Sequence, residues 1–318
     1  MLRIGIDLGG TNIAAGLVGE GYRLLAKKSV PTGACRPPEE IVADMAALCR
    51  SLAEENGFSL ADCAAVGVAS PGAVDPEEGT VSYSANLPFR DYPLAAELSA
   101  LLDGREVRLS NDGNAAALGE ALAGAARGTK NSVMITLGTG VGGGVILGGK
   151  ILVGVNGAAA ELGHILLREG GVLCSCGRRG CFEAYASATA LVRRTRERLV
   201  RAIALGIPTK MLDAVGGDPA AVSARTAFTC MREGDAEAKA VVDEYLCDLA
   251  AGITDLVNIF QPEVLSIGGG LSGEGDALLN PLVPLVERDQ YTRRSAKKTK
   301  LRIAELGNDA GIIGAASL

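Results

Sequence analysis

A short apolar strand that runs into a glycine-rich turn and leaves as a second strand occurs twice in this chain, and it constrains the fold more than any other feature. Leu2 to Leu8 runs into Gly9 and Gly10, Ile13 to Val18 carries the chain away, and Leu24 to Val30 follows Gly19 to Gly21. Such runs between glycine turns read as an antiparallel meander. A helical pattern follows from Pro37 and Pro38 to about Asn56, with Ile41, Met45, Leu48 and Leu52 on one face. Ala64 to Ala69 reads as a buried strand, Ser70 to Pro88 as loop, Pro93 to Leu102 as helix, Glu106 to Leu109 as strand and Ala115 to Ala123 as helix. The order is βββαβαβα. Ser132 to Leu137, Val141 to Leu147 and Ile151 to Val153 then repeat the meander without an obvious sequence repeat. Further on come an irregular stretch from Gly154 to Cys181, a long helix from Ala236 to Phe260 and a buried strand from Val264 to Ile267.

Two related α/β halves suit 318 residues, about twice the ~150-residue prior for one domain. The expected division is a smaller N-terminal α/β domain over 1–112, completed by a C-terminal helix within 305–318, and a larger α/β domain over 113–304. A hinge near Asp112 then opens a shared cleft. With 43 glycines, no tryptophan and 3% aromatics, aliphatic packing and close backbone approach must carry the architecture.

The glycine turns point to phosphate. Asp7, Gly9, Gly10, Thr11 and Asn12 place two glycines and a hydroxyl where bare N–H groups approach phosphate oxygens, with Asp7 set to hold Mg²⁺ through water. The second turn, Gly138, Thr139, Gly140 and on to Gly144, contains a formal G-x-G-x-x-G. A dinucleotide fingerprint opens a helix, whereas Val145 to Leu147 continue a strand, which disfavours a nucleotide-dependent oxidoreductase. Gly268, Gly269 and Gly270 form a third candidate phosphate turn. Either hairpin alone has an ordinary structural explanation; all three together favour a phosphate clamp.

The formal charge of −6 removes the net attraction to nucleic acid. No run reaches the ~18 apolar residues of a membrane span, and the expectation is a cytoplasmic protein with no membrane partner. Its eight cysteines are then reduced unless they hold a metal. Cys174, Cys176 and Cys181 give C-x-C-x4-C, with the only histidine, His164, just upstream, and three sulfurs and one imidazole complete a closed, structural zinc shell. Asp112, between a strand and a helix, reads either as an N-cap or as the base that takes a proton from a hydroxyl attacking a γ-phosphate.

Asp7 to Asn12, Asn111 to Glu120, Leu137 to His164, Cys174 through Cys181 to Glu183, and Ile267 to Leu271 together resemble the ROK family of sugar kinases and repressors, most closely its bacterial glucokinase group. The resemblance spans nearly the whole chain. It implies a hexokinase/actin-like (ribonuclease H-like) two-domain ATPase fold with a central cleft, ATP with Mg²⁺, and a hexose, most closely glucose, phosphorylated at its 6-hydroxyl. Asp112 is then the base, zinc sits on His164, Cys174, Cys176 and Cys181, and Gly72, Asn86, Asn111, Asp112, Glu161, His164 and Glu183 surround the sugar. It further implies a homo-oligomer, dimer or tetramer. Mannose, an N-acetylated hexosamine or fructose are alternative substrates. The family's repressors need a DNA-reading module ahead of the body, which here begins almost at once with Asp7. Two positions depart from the pattern: Gly113 where Ala commonly follows the Asp, expected to loosen the helix start, and Ala160 where Gly often precedes the Glu, expected to bring a methyl close to the sugar loop.

Overall fold

The computed structural model describes residues 1–318. β1 (Leu2–Leu8), β2 (Asn12–Val18) and β3 (Leu24–Pro31) form the expected meander, with Asp7 paired to Ala14 and Leu8 to Ile13 at the first turn. α1 (Pro38–Glu55) starts on a proline, carries Glu39 and Glu40 in its first turn, and buries Ile41, Met45, Leu48 and Leu52. β4 (Cys63–Ser70) then runs parallel to β1.

The stretch read as loop after Ser70 instead folds into a small antiparallel sheet of β5 (Ala73–Asp75), β6 (Thr80–Tyr83) and β7 (Arg90–Tyr92). Strands of three or four residues are too short for alternation to show in a sequence. α2 (Leu94–Leu101), β8 (Val107–Asn111) and α3 (Asp112–Leu122) follow, and the main sheet has the order β3-β2-β1-β4-β8. α3 begins at Asp112, three residues before the expected Ala115.

β9 (Ser132–Leu137), β10 (Val141–Leu147) and β11 (Lys150–Ile151) make the second meander, whose third strand is shorter than expected. Helices α4 (Glu183–Ala186), α5 (Ala188–Leu205), α6 (Lys210–Ala214), α7 (Thr226–Arg232) and α8 (Ala236–Phe260) lead to β12 (Val264–Gly268), α9 (Asp276–Asp289), β13 (Lys300–Ile303) and α10 (Asp309–Ala315). The second sheet has the order β11-β10-β9-β12-β13. β13 alternates as Lys300-Leu301-Arg302-Ile303, but four residues are too few for that pattern to stand out in the sequence. No helix is long and apolar enough to cross a membrane.

Packing divides the chain into two units: Met1–Met134 with Gly143–Ala160 and Ala304–Leu318, and Ile135–Gly142 with Glu161–Ile303. The first break therefore falls after Met134 and not at Asp112, because α3 lies against α10 within unit one. Unit one's core joins Ile4, Ile6 and Leu8 of β1 to Ile41 and Met45 of α1, Val66 and Val68 of β4, and Phe89. In unit two, Leu199, Met211, Cys230 and Ala238 form one cluster.

Glycine is what lets α10 sit on bare strands. A Cβ on Gly67 would lie 1.7 Å from the Ala315 carbonyl oxygen, and one on Gly5 would lie 1.9 Å from that of Ile312. Neither clash can be relieved by rotating a side chain. Gly67→Ala should lower unfolding free energy by about 2 kcal/mol, within the usual overpacking range, as a lower urea midpoint with unchanged slope. An unchanged midpoint would contradict this packing.

Candidate active site

In unit one, β1 delivers Asp7 to the rim of the first glycine turn. That turn is braced from within: the Gly9 N–H donates to the Asn12 carbonyl at 2.9 Å, and the Thr32 hydroxyl to the Gly9 carbonyl at 2.6 Å. Thr32, fully buried, also donates its own N–H to the Thr11 carbonyl. Asn86 lies beside Gly10, whose added Cβ would be 3.5 Å from that of Asn86. The loop carrying Asn86 is held by Arg90, which stacks 4.2 Å from the Tyr83 ring centroid and donates to the carbonyls of Ser84, Leu87 and Phe89.

The two readings of Asp112 separate cleanly here. Asn111 is the N-cap, its Oδ1 accepting from the N–H groups of Gly113 at 2.9 Å and Asn114 at 3.2 Å. Asp112 occupies the first helical position, and its Oδ1 shares the Gly113 N–H at 2.8 Å. The Asn111 side chain also donates to the Gly72 carbonyl at 3.1 Å, so this amide is already working at both ends. Gly72 has φ of +101°, and a Cβ there would meet the Tyr83 carbonyl oxygen at 2.1 Å. Gly113 does not loosen the helix start, because the Asn111 cap holds it; a Cβ there would lie 2.5 Å from the Gly143 carbonyl oxygen.

Two carboxylates of this unit are pushed toward neutrality. Burial, and then the charge of Asp112, raise Asp7 to about 6. Asp112 is surface-exposed but sits amid enough protein for desolvation to raise it, against the pull of the Gly113 N–H. Gly311 of α10 closes over Asp7: a Cβ there would be 3.0 Å from the carboxylate.

In unit two, the second glycine turn is fastened to the helices after it. The Gly138 carbonyl accepts from the Ala188 N–H and the Thr139 carbonyl from the Thr189 hydroxyl, each at 2.8 Å, and the Val141 N–H donates to Glu183 at 3.0 Å. β12 ends in Gly268, and Gly269 adopts φ of +81° with no room for a Cβ against the Leu137 backbone. Gly270 faces open space.

The structure gathers His164, Cys174, Cys176 and Cys181, with their donor atoms all within 4.8 Å of one another. Zn–S bonds near 2.3 Å and Zn–N bonds near 2.0–2.1 Å at tetrahedral angles set ligand atoms roughly 3.5–3.8 Å apart. The Cys176 and Cys181 sulfurs are 3.7 Å apart, and the Cys174 sulfur is 3.6 Å from His164 Nδ1, so the donor set fits that shell. Burial pushes the Cys174 and Cys181 thiols up, Cys181 to about 12, while the Arg178 N–H draws Cys176 down. Coordination to a divalent cation reverses the first two preferences, since it takes thiolates.

Glu161 immediately precedes the short 3-10 turn Leu162–His164 and is exposed, and its carbonyl accepts from the His164 N–H at 3.0 Å. Ala160 holds φ of +66°, a left-handed conformation that glycine adopts more readily, which is the backbone cost of its departure. Burial pushes Glu183 up, but hydrogen bonds from the Ser175 hydroxyl, at 2.7 Å, and the Val141 N–H outweigh it and hold the carboxyl below its ordinary value. The loop that carries the cysteines is tied to α8 by Arg168, which pairs with the buried Asp248 while lying over the Tyr185 ring. Arg194 of α5 pairs with the same carboxylate.

Sequence reasoning missed Thr32, Arg90, Ser175, Arg168 and Asp248. Only Ser175, between two cysteines of the spaced cluster, carried a local hint.

A profile of the ROK family matches residues 3–318. The glucokinase of Streptomyces coelicolor is 39% identical over 322 residues, covering 100% of this chain and 97% of that protein. The glucokinase of Thermotoga maritima is 38% identical over 317 residues, covering 99% and 96%. Among solved structures, a ROK family glucokinase from Streptomyces griseus in complex with glucose and AMPPNP superposes with a TM-score of 0.79 at 36% identity, covering 100% of this chain and 98% of that one. The α/β architecture is the actin-like sugar-kinase fold. The chain belongs to the ROK family.

Proposed function

We propose that this protein is an ATP-dependent glucokinase, transferring the γ-phosphoryl group of ATP to the 6-hydroxyl of glucose. The observation that carries the reading is the Asp112 carboxylate: with Asn111 supplying the cap, Asp112 is left to act as a base. Its upward shift moves it toward the working pH, where a general base is most effective. The 6-hydroxyl oxygen attacks the γ-phosphorus in line as its proton passes to Asp112, and ADP leaves. Identity of 38–39% to curated glucokinases over nearly full length supports the substrate pair.

The remaining roles follow the same reading. Backbone N–H groups of Gly9, Gly10, Thr11, Asn12, Gly138, Thr139, Gly140 and Gly268 to Gly270 take phosphate oxygens, and Asp7 anchors Mg²⁺ through water. His164, Cys174, Cys176 and Cys181 hold a structural zinc, which orders their loop and adds nothing to phosphoryl transfer. His164 keeps Nε2 for a sugar hydroxyl, because Nδ1 faces Cys174. It joins Glu161 and Glu183 at the 1- to 3-hydroxyls, with Gly72, Asn86 and Asn111 completing the sugar contacts. The protein works in the cytoplasm as a homo-oligomer.

A sugar panel with coupled ADP detection tests the substrate. Fructose offers a different hydroxyl set near its anomeric carbon and leaves Glu161 or Glu183, desolvated once a sugar is seated, without a hydroxyl partner, at roughly 1–3 kcal/mol. Glucose should therefore exceed fructose in kcat/KM by at least about tenfold. Equal or faster turnover of fructose, mannose or an N-acetylated hexosamine would move the assignment to that sugar.

A further inference from the structure

Glu183 stands between two elements that the glucokinase reading gives to different substrates. Its Oε2 accepts from the N–H of Val141, the residue that leaves the second glycine turn, at 3.0 Å. Its Oε1 accepts from the Ser175 hydroxyl at 2.7 Å and from the Cys174 thiol at 3.4 Å, both in the cysteine cluster. The carboxylate fills the space beside the turn so fully that a Cβ on Gly140 would lie 2.3 Å from Oε2. Once Cys174 is a metal-bound thiolate it has no proton to donate, and Ser175 becomes the cluster's donor to Oε1.

We propose that the Glu183 carboxylate, held by Ser175 as a positioning residue, is a strut that couples hexose binding to nucleotide binding. This rests on the glucokinase reading, in which Glu183 meets sugar hydroxyls and the turn meets phosphate. A sugar hydroxyl adds a donor to a carboxylate already held by Ser175 and Val141 and narrows its remaining motion. Oε2 then stays aimed at Val141, so the turn is ordered before the phosphates arrive and the nucleotide loses less entropy on binding. By linkage the nucleotide tightens the sugar by the same factor. Serine is needed because a hydroxyl can donate to Oε1 without bringing charge, and it does so from between two metal ligands, whose backbone the metal immobilises.

Calorimetric titration of the zinc-loaded full chain with glucose, with Mg·AMPPNP, and with each in the presence of the other tests the strut. In the unmodified protein glucose should tighten AMPPNP at least about fivefold. Ser175→Ala should keep its zinc and bind each ligand alone within about threefold of normal, yet lose the coupling to below about twofold, and Ser175→Thr should restore it. If Ser175→Ala does not hold zinc, Gly140→Ala displaces the same carboxylate from the opposite side and should abolish the coupling instead. Absence of coupling in the unmodified protein, or full coupling in zinc-loaded Ser175→Ala, overturns the strut, and where Ser175→Ala does not hold zinc, full coupling in Gly140→Ala overturns it. Failure of the unmodified protein to bind glucose at all overturns the glucokinase reading and the strut with it.

Discussion

Asp112→Asn should phosphorylate glucose about 10²–10⁴-fold more slowly while still binding it, the loss associated with removing a general base. Asparagine keeps the size of the side chain and cannot take the proton. The substitution leaves the helix intact, since the bonds that cap α3 come from Asn111 Oδ1 to the N–H groups of Gly113 and Asn114. Turnover by coupled ADP detection, glucose affinity by calorimetry and a thermal melt separate chemistry from binding and folding. Near-normal turnover would eliminate the base. The same substitution removes the negative charge that helps to raise Asp7, so the acid limb of the residual activity should move to lower pH.

Asp7→Asn should make the folded chain more stable and the enzyme much less active. Burial and the neighbouring Asp112 raise the Asp7 carboxyl from 3.8 to about 6. Between those values the folded chain holds a proton that the unfolded chain has released, so stability is present in full below the lower value and falls as pH rises through the upper one. A shift of about two units at 1.36 kcal/mol each corresponds to roughly 3 kcal/mol of destabilisation at pH 7.5. Asparagine has no charge to desolvate and nearly the same shape, which matters beneath Gly311. Urea unfolding should therefore show the variant ahead by up to about 3 kcal/mol at pH 7.5 and level with the parent near pH 4. Equal stability at both pH values would show that Asp7 carries no such strain. With Asp7 in its proposed place beneath hydrated Mg²⁺, the activity should fall because an amide is a poor anchor for that cation.

The parts of this molecule that were legible in advance are those whose signal is local. The glycine turns announced both meanders, and C-x-C-x4-C announced the cysteine cluster with its histidine. Asp112 could be placed at a strand-to-helix junction, but only coordinates separate a cap from its neighbour, because Asn and Asp both serve as caps. The illegible parts depend on partners far along the chain. Thr32 braces Gly9 from 23 residues away, and Asp248 holds Arg168 from 80 residues away. Neither distance leaves a pattern in the residues themselves. β5 to β7 and β13 were missed for a different reason: at three or four residues each they are too short for a period to stand out.

The helix laid on Gly5 and Gly67 also dictates when unit one can finish folding. β1 and α10, residues 309–315, lie about three hundred residues apart, so their contact closes a loop of that length and cannot form before α10 has been synthesised. Until then the bare backbone of β1 and β4 lies uncovered, with Asp7 open to water and lacking Gly311 above it. A nascent chain in that state presents an unfinished sheet face to its neighbours, the kind of surface that chaperones shield. The sheet of unit one therefore reaches its native packing only after residues 309–315 have been made.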